Sequence, residues 1–354
     1  MKVAAVTSLA PVPAPISHQP SVPAAAAASA LTDRFGRRHN YLRISVTDRC
    51  NLRCVYCMPA EGLVWKERTD ILSYEEIERL AALFVRLGVD KIRLTGGEPT
   101  VRRNLHHLIG RLRGLSGLRT LLMSTNGVLL AKEAAGYRAA GLDALNISLD
   151  TLQAERFEKM TLRASHAAVL AGIEAALQAG FAAIKVNVVV MAGINDDELV
   201  AFTGYAAARP LEVRFIEFMP FDRNDWSASR IVPYAEMRRR IESVYRLTPI
   251  DPAPNAVAKE FAIGGGIGRV GFVTSMTENF CASCNRLRLT ADGKLKNCLF
   301  STTESDLREP MRAGATDAEL TTIIRQSVLG KWAGHPPMDE LAELGNRSMI
   351  QIGG

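Results

Sequence analysis

Thr47-Asp48-Arg49-Cys50-Asn51-Leu52-Arg53-Cys54-Val55-Tyr56-Cys57 directly follows an apolar, β-branched run over residues 42–47. The run reads as a strand, so the three cysteines fall on the loop at its carboxyl end, spaced C-x3-C-x2-C. Most [4Fe–4S] cubes take four thiolates. A loop offering three leaves one iron open to an exogenous ligand, and the amine and carboxylate of an amino acid can chelate it. Structural zinc usually wants four protein ligands, often in pairs. No fourth cysteine is near, and His39 lies ahead of the strand. The motif is read as a cluster site on the strength of its place after a strand.

Outward from this loop the chain alternates. Strands are expected at about 42–47, 89–94, 119–124, 143–149, 184–190 and 212–217, and helices near 73–87, 104–114, 130–140, 166–179 and 196–208. Ser73 with Glu76 three residues on makes a capping box, and Gly88, Gly141 and Gly180 end helices. Strands alternating with helices predict a parallel α/β fold. Six units are too few for a closed eight-fold barrel, so a partial (β/α)6 TIM-type barrel is expected, with an open doubly wound sheet as the alternative. Beyond about residue 222 the alternation stops. A helix at 233–244, Gly-rich short strands, a second cysteine triplet and a helix near 317–330 follow. The expected division is an Ala/Pro-rich disordered tail over 1–38, a barrel over 39–222 and a smaller region over 223–354 that covers one side of the core.

Polar residues cluster at the ends of the expected strands. Leu94-Thr95-Gly96-Gly97-Glu98-Pro99 closes the second, Ser124 and Asn126 the third, and Ser148 and Asp150 the fourth. Lys185 and Asn187 interrupt the fifth, and Met219 follows the sixth. Each alone has a plain structural reading as turn, strand end or core. Ligands of parallel β/α folds gather at the carboxyl ends of strands, which gives these residues one common mouth. The two glycines let the backbone approach a ligand, and Glu98 reads as an acceptor for a ligand amine.

The second triplet, Cys281, Cys284 and Cys298, is spaced C-x2-C-x13-C and again offers three thiolates. A zinc ribbon would need a fourth ligand, for which His335, beside Pro336-Pro337, is the local candidate. Alternation along Asn285-Arg286-Leu287-Arg288-Leu289 puts Arg286 and Arg288 on one face, where guanidinium groups suit phosphate. The net charge of +6 is mild and carries no Lys/Arg block, which fits an anionic ligand and argues against nucleic acid. No apolar run is long enough to span a membrane. All six cysteines fall in the two triplets. A chain with ample core needs no disulfide staples, so metal or redox chemistry in the cytoplasm is expected. Residues 1–32 carry one charge, Lys2, and five prolines, at 11, 13, 15, 20 and 23. They read as a disordered tail, with a signal peptide ending near Ala28-Ser29-Ala30 as the alternative.

The cysteine loop resembles the signature of the radical S-adenosylmethionine (SAM) superfamily. Arg43-Ile44-Ser45-Val46-Thr47-Asp48-Arg49-Cys50-Asn51 is similar to the molybdenum-cofactor biosynthesis protein A family, the GTP 3′,8-cyclases, and the resemblance runs from about residue 33 to the C-terminus. It implies two [4Fe–4S] clusters. Cys50, Cys54 and Cys57 would hold one, with SAM on its spare iron, and Cys281, Cys284 and Cys298 the other, binding the guanine of GTP. The implied SAM contacts are Tyr56, Gly97, Ser148 and Met219. The implied GTP contacts are Arg43, Arg93, Ser124, Lys185, Arg286, Leu287 and Arg288, with Ser124 keeping the hydroxyl where the family often has Thr. Gly353 and Gly354, by themselves a fraying end, would reach into the active site and assist catalysis.

The implied reaction is that of a lyase. A 5′-deoxyadenosyl radical takes the ribose 3′ hydrogen, and the carbon radical closes on C8. The product is (8S)-3′,8-cyclo-7,8-dihydroguanosine 5′-triphosphate, at the first step of molybdenum cofactor biosynthesis. A homodimer, an external electron donor and a cyclic pyranopterin monophosphate synthase that takes the product are further implications. The rival readings are a radical SAM peptide-modifying protein, which usually carries more auxiliary cysteines, and a zinc-binding interaction module.

Overall fold

Helix and strand periodicities settle where the residue pattern puts them. The computed structural model describes residues 30–58, 63, 65–222 and 224–353. In chain order the first part contains β1 (Tyr41–Ser45), α1 (Tyr74–Arg86), β2 (Lys91–Thr95), α2 (Leu105–Arg113), β3 (Thr120–Thr125) and α3 (Leu130–Ala139). It continues with β4 (Ala144–Ser148), α4 (Ala154–Thr161), α5 (His166–Gln178), β5 (Ala183–Val190), α6 (Leu199–Ala207) and β6 (Glu212–Glu217). The capping box of α1 forms as expected: Ser73 Oγ accepts from Glu76 N at 3.2 Å, and Glu76 Oε2 accepts from Ser73 N at 2.7 Å. Helix α4 is the one the sequence pattern does not announce, because its eight residues bury only Phe157, Met160 and Thr161.

Strands β1 to β6 pair in parallel in chain order, as a partial barrel requires. The C-terminal region then adds α7 (Tyr234–Glu242), β7 (Leu247–Pro249), β8 (Lys259–Ile263), β9 (Arg269–Val273), β10 (Arg286–Leu289), β11 (Lys294–Lys296) and β12 (Ser305–Asp306). Strand β9 pairs in parallel with β6, and β10 in parallel with β1. The sheet order is β12-β11-β10-β1-β2-β3-β4-β5-β6-β9-β8-β7. The C-terminal region therefore extends both edges of the sheet rather than covering one side. An open six-stranded sheet leaves unpaired backbone groups on two edge strands, and β9 and β10 satisfy them. The remaining helices are α8 (Arg308–Arg312), α9 (Asp317–Leu329), α10 (Met338–Glu343) and α11 (Met349–Ile352).

The period of two sorts side chains to the two faces. Leu42 and Ile44, Ile92 and Leu94, Leu121 and Met123, Leu145 and Ile147, Val186 and Val188, and Val213 and Phe215 all join one buried apolar core. The intervening positions, Arg43, Arg93, Ser124, Asn146, Lys185, Asn187 and Arg214, give the sheet a polar opposite face. Composition places residues 31–38 in the tail, but they pack: Leu31 is buried, Asp33 is buried, and Thr32 bridges Arg38. Leu31 supplies the apolar anchor that a tail would lack. Residues 1–29 of the expected tail, with the alternative cleavage site as far as Ser29, lie outside the described residues.

Buried carboxylates pin the loops at the strand ends. Glu98 Oε1 accepts from Thr100 N at 3.0 Å, Thr100 Oγ1 at 2.6 Å and Thr125 Oγ1 at 2.7 Å, and its Oε2 accepts from Asn126 N at 2.6 Å. These bonds tie the loop after β2 to the end of β3, and they correct the expectation that Glu98 receives a ligand amine. Glu217, at the end of β6, likewise accepts from Met276 N at 2.7 Å and Thr277 N at 2.9 Å. Replacing Glu98→Ala strands four donors in the interior and should destabilise the fold by about 3 kcal/mol. Urea unfolding measures this, and a loss under about 1 kcal/mol would show that the carboxylate is not the clasp.

Candidate active site

The first cysteine loop is held from two sides. On one, Gly97 N donates to Thr47 O at 2.8 Å and Glu98 N to Arg49 O at 2.8 Å. A Cβ on residue 97 would lie 2.4 Å from Arg49 O and 2.6 Å from Asp48 O, so only glycine fits. On the other, Arg53 N donates to Thr161 O at 2.9 Å and Val55 N to Met160 O at 3.0 Å. The unannounced α4 is thus the second support of the loop. Asn126 Nδ2 bonds Asn51 Oδ1 at 2.7 Å and approaches Cys50 Sγ at 3.8 Å.

The second triplet is built by the β10–β11 hairpin, with Arg288 opposite Lys296 and Leu289 opposite Leu295. Thirteen intervening residues are two short strands and their turn, which returns Cys298 beside Cys284. All six cysteines are free, and all six line one cavity of about 340 Å³, within the usual range for ligand pockets. The same wall carries Arg43, Tyr56, Gly97, Ser124, Ser148, Met219, Arg286 and Arg288. Among the described residues no three or more His, Cys, Asp or Glu are grouped to hold a metal ion. A four-iron cube spreads its thiolates wider than one ion does. His335 does not complete a zinc site: its Nδ1 faces Pro336 O at 2.8 Å and its Nε2 faces Ser275 O at 3.0 Å. Three thiols on each side of one cavity could each hold a cluster that leaves one iron open to a further ligand.

Burial pushes the Cys50 thiol up to about 11, Cys57 up to about 12 and Cys54 well above its ordinary value. Burial also acts upward on Cys284, but Arg286 and Lys331 outweigh it and bring the thiol down to about 6. Iron would displace the protons of the first triplet on binding.

Cations form a row across the polar face. Arg43 is paired in register with Arg288 on β10 and with Arg93 on β2. Burial first, then Arg93 and Arg286, push Arg43 down to about 10. Burial with Arg43 and Arg286 pushes Arg288 well below its usual range. Crowded, desolvated cations favour a polyanion between them. Tyr41 belongs to this group too. Its hydroxyl accepts from Arg93 Nε at 2.6 Å; burial acts upward on the phenol, yet Arg93, Arg43 and Lys91 draw it down to about 7.

Four of the residues expected in the site are not on the cavity wall. Arg93 lies behind the cavity wall, bonded to Tyr41, Met123 O at 3.1 Å and Ser124 Oγ at 3.4 Å. Lys185 is already paired with Glu212 at 2.5 Å and Glu260 at 3.5 Å. The Leu287 side chain is fully buried in the core opposite Leu42. Gly353 touches the mouth rather than lining the cavity: its carbonyl accepts from Thr95 Oγ1 and Arg288 Nη1, both at 3.3 Å. It has φ +83°, and a Cβ there would be 2.8 Å from Ser45 Cβ. Arg347 anchors the segment before it, through Asp292 at 3.3 Å and Glu304 at 2.6 Å. Gly354 lies outside the described residues. Arg214, Asn279 and Lys331, which line the cavity, were not singled out from the sequence. Of these only Arg214, a charge flanked by Val213 and Phe215 on β6, carried an alternation signal.

A Gly97→Ala chain should lose about 1–3 kcal/mol of stability to overpacking and fail to retain iron on the first triplet while the second keeps its own. Iron analysis after anaerobic reconstitution checks this, and iron content equal to the unaltered chain would contradict it.

Residues 44–206 match the Radical SAM superfamily, and residues 211–336 match Molybdenum Cofactor Synthesis C. The chain is 50% identical to the mitochondrial GTP 3′,8-cyclase of Arabidopsis thaliana, covering 92% of this chain and 83% of that protein. It is 46% identical to the GTP 3′,8-cyclase of Moorella thermoacetica, covering 92% of this chain and 100% of that protein. Molybdenum cofactor biosynthesis protein 1 of Mus musculus is 49% identical over 91% of this chain, which spans only 51% of that longer protein. The solved structure of Streptococcus suis SuiB bound to S-adenosylmethionine shares the fold, with a TM-score of 0.54 at 15% identity over 90% of this chain and 79% of that one. With the loop, the cavity and these likenesses together, the chain belongs to the GTP 3′,8-cyclase family of radical SAM enzymes.

Proposed function

We propose that this chain converts GTP into (8S)-3′,8-cyclo-7,8-dihydroguanosine 5′-triphosphate in the space between its two cysteine triplets. The observation that carries the reading is that both triplets and the cations Arg43, Arg286 and Arg288 line one cavity. Cys50, Cys54 and Cys57 would hold the first cluster, and Cys281, Cys284 and Cys298 a second, to which the guanine would bind. The first cluster, when bound, supplies the electron that releases a 5′-deoxyadenosyl radical from SAM.

The chain's own residues orient and shield. Tyr56, Gly97, Ser148 and Met219 would hold SAM. Asp150 steadies Tyr56, accepting its hydroxyl at 2.5 Å while also accepting from Val189 N at 2.8 Å. Arg43, Arg286 and Arg288 face the triphosphate, with Ser124 at the rim. Arg93 acts on GTP through Ser124 and Tyr41, and Lys185 through exchange of its Glu212 contact for phosphate. Phe218, Phe221, Leu299, Phe300 and Ile350 on the same wall keep water from a carbon radical. Gly353, whose carbonyl accepts from Arg288, and Gly354 would assist the reaction. A homodimer, an external one-electron donor and a cyclic pyranopterin monophosphate synthase downstream complete the proposal. Free cysteines suit the reducing cytoplasm, and among the described residues no helix is long and apolar enough to cross a membrane.

The test is anaerobic incubation of the reconstituted protein with SAM, dithionite and each nucleoside triphosphate in turn. Stoichiometric 5′-deoxyadenosine and a cyclised product should form with GTP alone. Deoxyadenosine formation indifferent to GTP would reject the assignment.

A further inference from the structure

Lys331 is buried, at 2% exposure, immediately after α9 and Gly330. Among the described residues its ammonium meets no carboxylate. It donates instead to Arg286 O at 2.8 Å and to Asn297 O at 2.5 Å. Those two carbonyls sit at a special place in the β10–β11 hairpin. The ladder runs Leu289 to Leu295 and Arg288 to Lys296, then stops. The same register, continued, would set Arg286 across from Cys298. Beyond the last pair the two strands open, and the opening is where Cys284 and Cys298 emerge. Lys331 bridges the opening: one of its acceptors lies two residues after Cys284 and the other one residue before Cys298.

The third cysteine is tied to the same stretch of chain. Arg37 Nη1 donates to Cys281 O at 2.7 Å and to Ala333 O at 2.8 Å, and Arg37 Nη2 donates to Trp332 O. Its guanidinium is aimed by Asp33, at 2.6 Å from Nε. Asn297 Nδ2 in turn donates to Ser327 O at 2.6 Å, which docks the end of α9 on the hairpin. A buried ammonium satisfied only by neutral carbonyls is costly. Its compensation would be negative charge close by, which metal-bound thiolates of Cys284 and Cys298 would supply. Groups that orient ligands and carry charge beside a metal centre tune both its retention and its potential.

We propose that Lys331 is a positioning residue for the second iron–sulfur cluster: it ties together the backbones next to Cys284 and Cys298, at Arg286 and Asn297, and places a positive charge beside them, while Arg37 fixes Cys281 to the same segment. The inference rests on the second-cluster reading above. Lys331→Met removes both donors and charge, Lys331→Arg keeps both, and Arg37→Gln probes the other clamp.

The experiment reconstitutes each chain anaerobically and measures iron, the reduced-state EPR signals and their midpoint potentials. The unaltered protein should hold about eight irons and show one signal that responds to SAM and another that responds to GTP. In Lys331→Met the GTP-responsive signal should vanish, with iron falling by about half, or persist at a more negative potential. The SAM-responsive signal should remain. Lys331→Arg should restore the second signal, and Arg37→Gln should weaken it without touching the first. Full iron with unchanged second-signal potential in Lys331→Met would overturn the proposal, as would loss of both signals together that Lys331→Arg does not reverse and that Arg37→Gln does not resolve into loss of the second alone. About four irons in the unaltered protein would instead remove the second cluster itself.

Discussion

There is no room for a side chain at residue 97. The carbonyls of Asp48 and Arg49 fill the space a Cβ would take, and the amides of Gly97 and Glu98 bond the loop that carries Cys50, Cys54 and Cys57. This contact fastens a loop of low intrinsic order to the end of a rigid strand. Metal sites need their ligands preset by such supports, because thiolates on a mobile loop would lose more entropy on binding. The buried Glu98 carboxylate stiffens the turn from below, and α4 holds the far half of the loop. Steric exclusion at one glycine thereby decides where the loop of the first cysteine triplet sits.

The sheet supplies the complementary half of the site. Its outward side chains form the core and its inward ones are polar, so a row of arginines can sit across β10, β1 and β2 at strand spacing. In water such a row would be unremarkable. Buried, each guanidinium raises the cost of the next, and a triphosphate relieves that repulsion. The row exists only because β10 comes from the far end of the sequence to pair with β1. The same pairing brings Arg286, Arg288 and the second cysteine triplet to the cavity, so edge completion and assembly of the cavity wall are one event.

Much of this was legible in the residues. The alternation of strands and helices from residue 41 onward set the fold class, and the C-x3-C-x2-C loop after β1 set the chemistry. Arg286 and Arg288 followed from the period of two. What could not be read were contacts between distant segments. Nothing local says that β9 and β10 extend opposite edges, since edge pairing is a property of the closed topology. Helix α4 is short, with eight residues, and its role lies in its terminal carbonyls, which no side-chain pattern reports. Glu98 looked like an open acceptor because its partners Thr125 and Asn126 come from the neighbouring strand. Lys331 and Arg37 are single cations in ordinary surroundings until the hairpin opens beside them. Leu287, named with its arginine neighbours, obeys the alternation that put those arginines on the other face.

The proposed reaction takes the hydrogen from C3′ of a ribose held beside the first triplet. GTP carrying deuterium at C3′ examines that placement directly, by mass spectrometry of the 5′-deoxyadenosine formed in the anaerobic reaction. Deuterium in the 5′-deoxyadenosine is the result expected of this cavity. Undeuterated 5′-deoxyadenosine, formed while the labelled GTP is consumed, would contradict it.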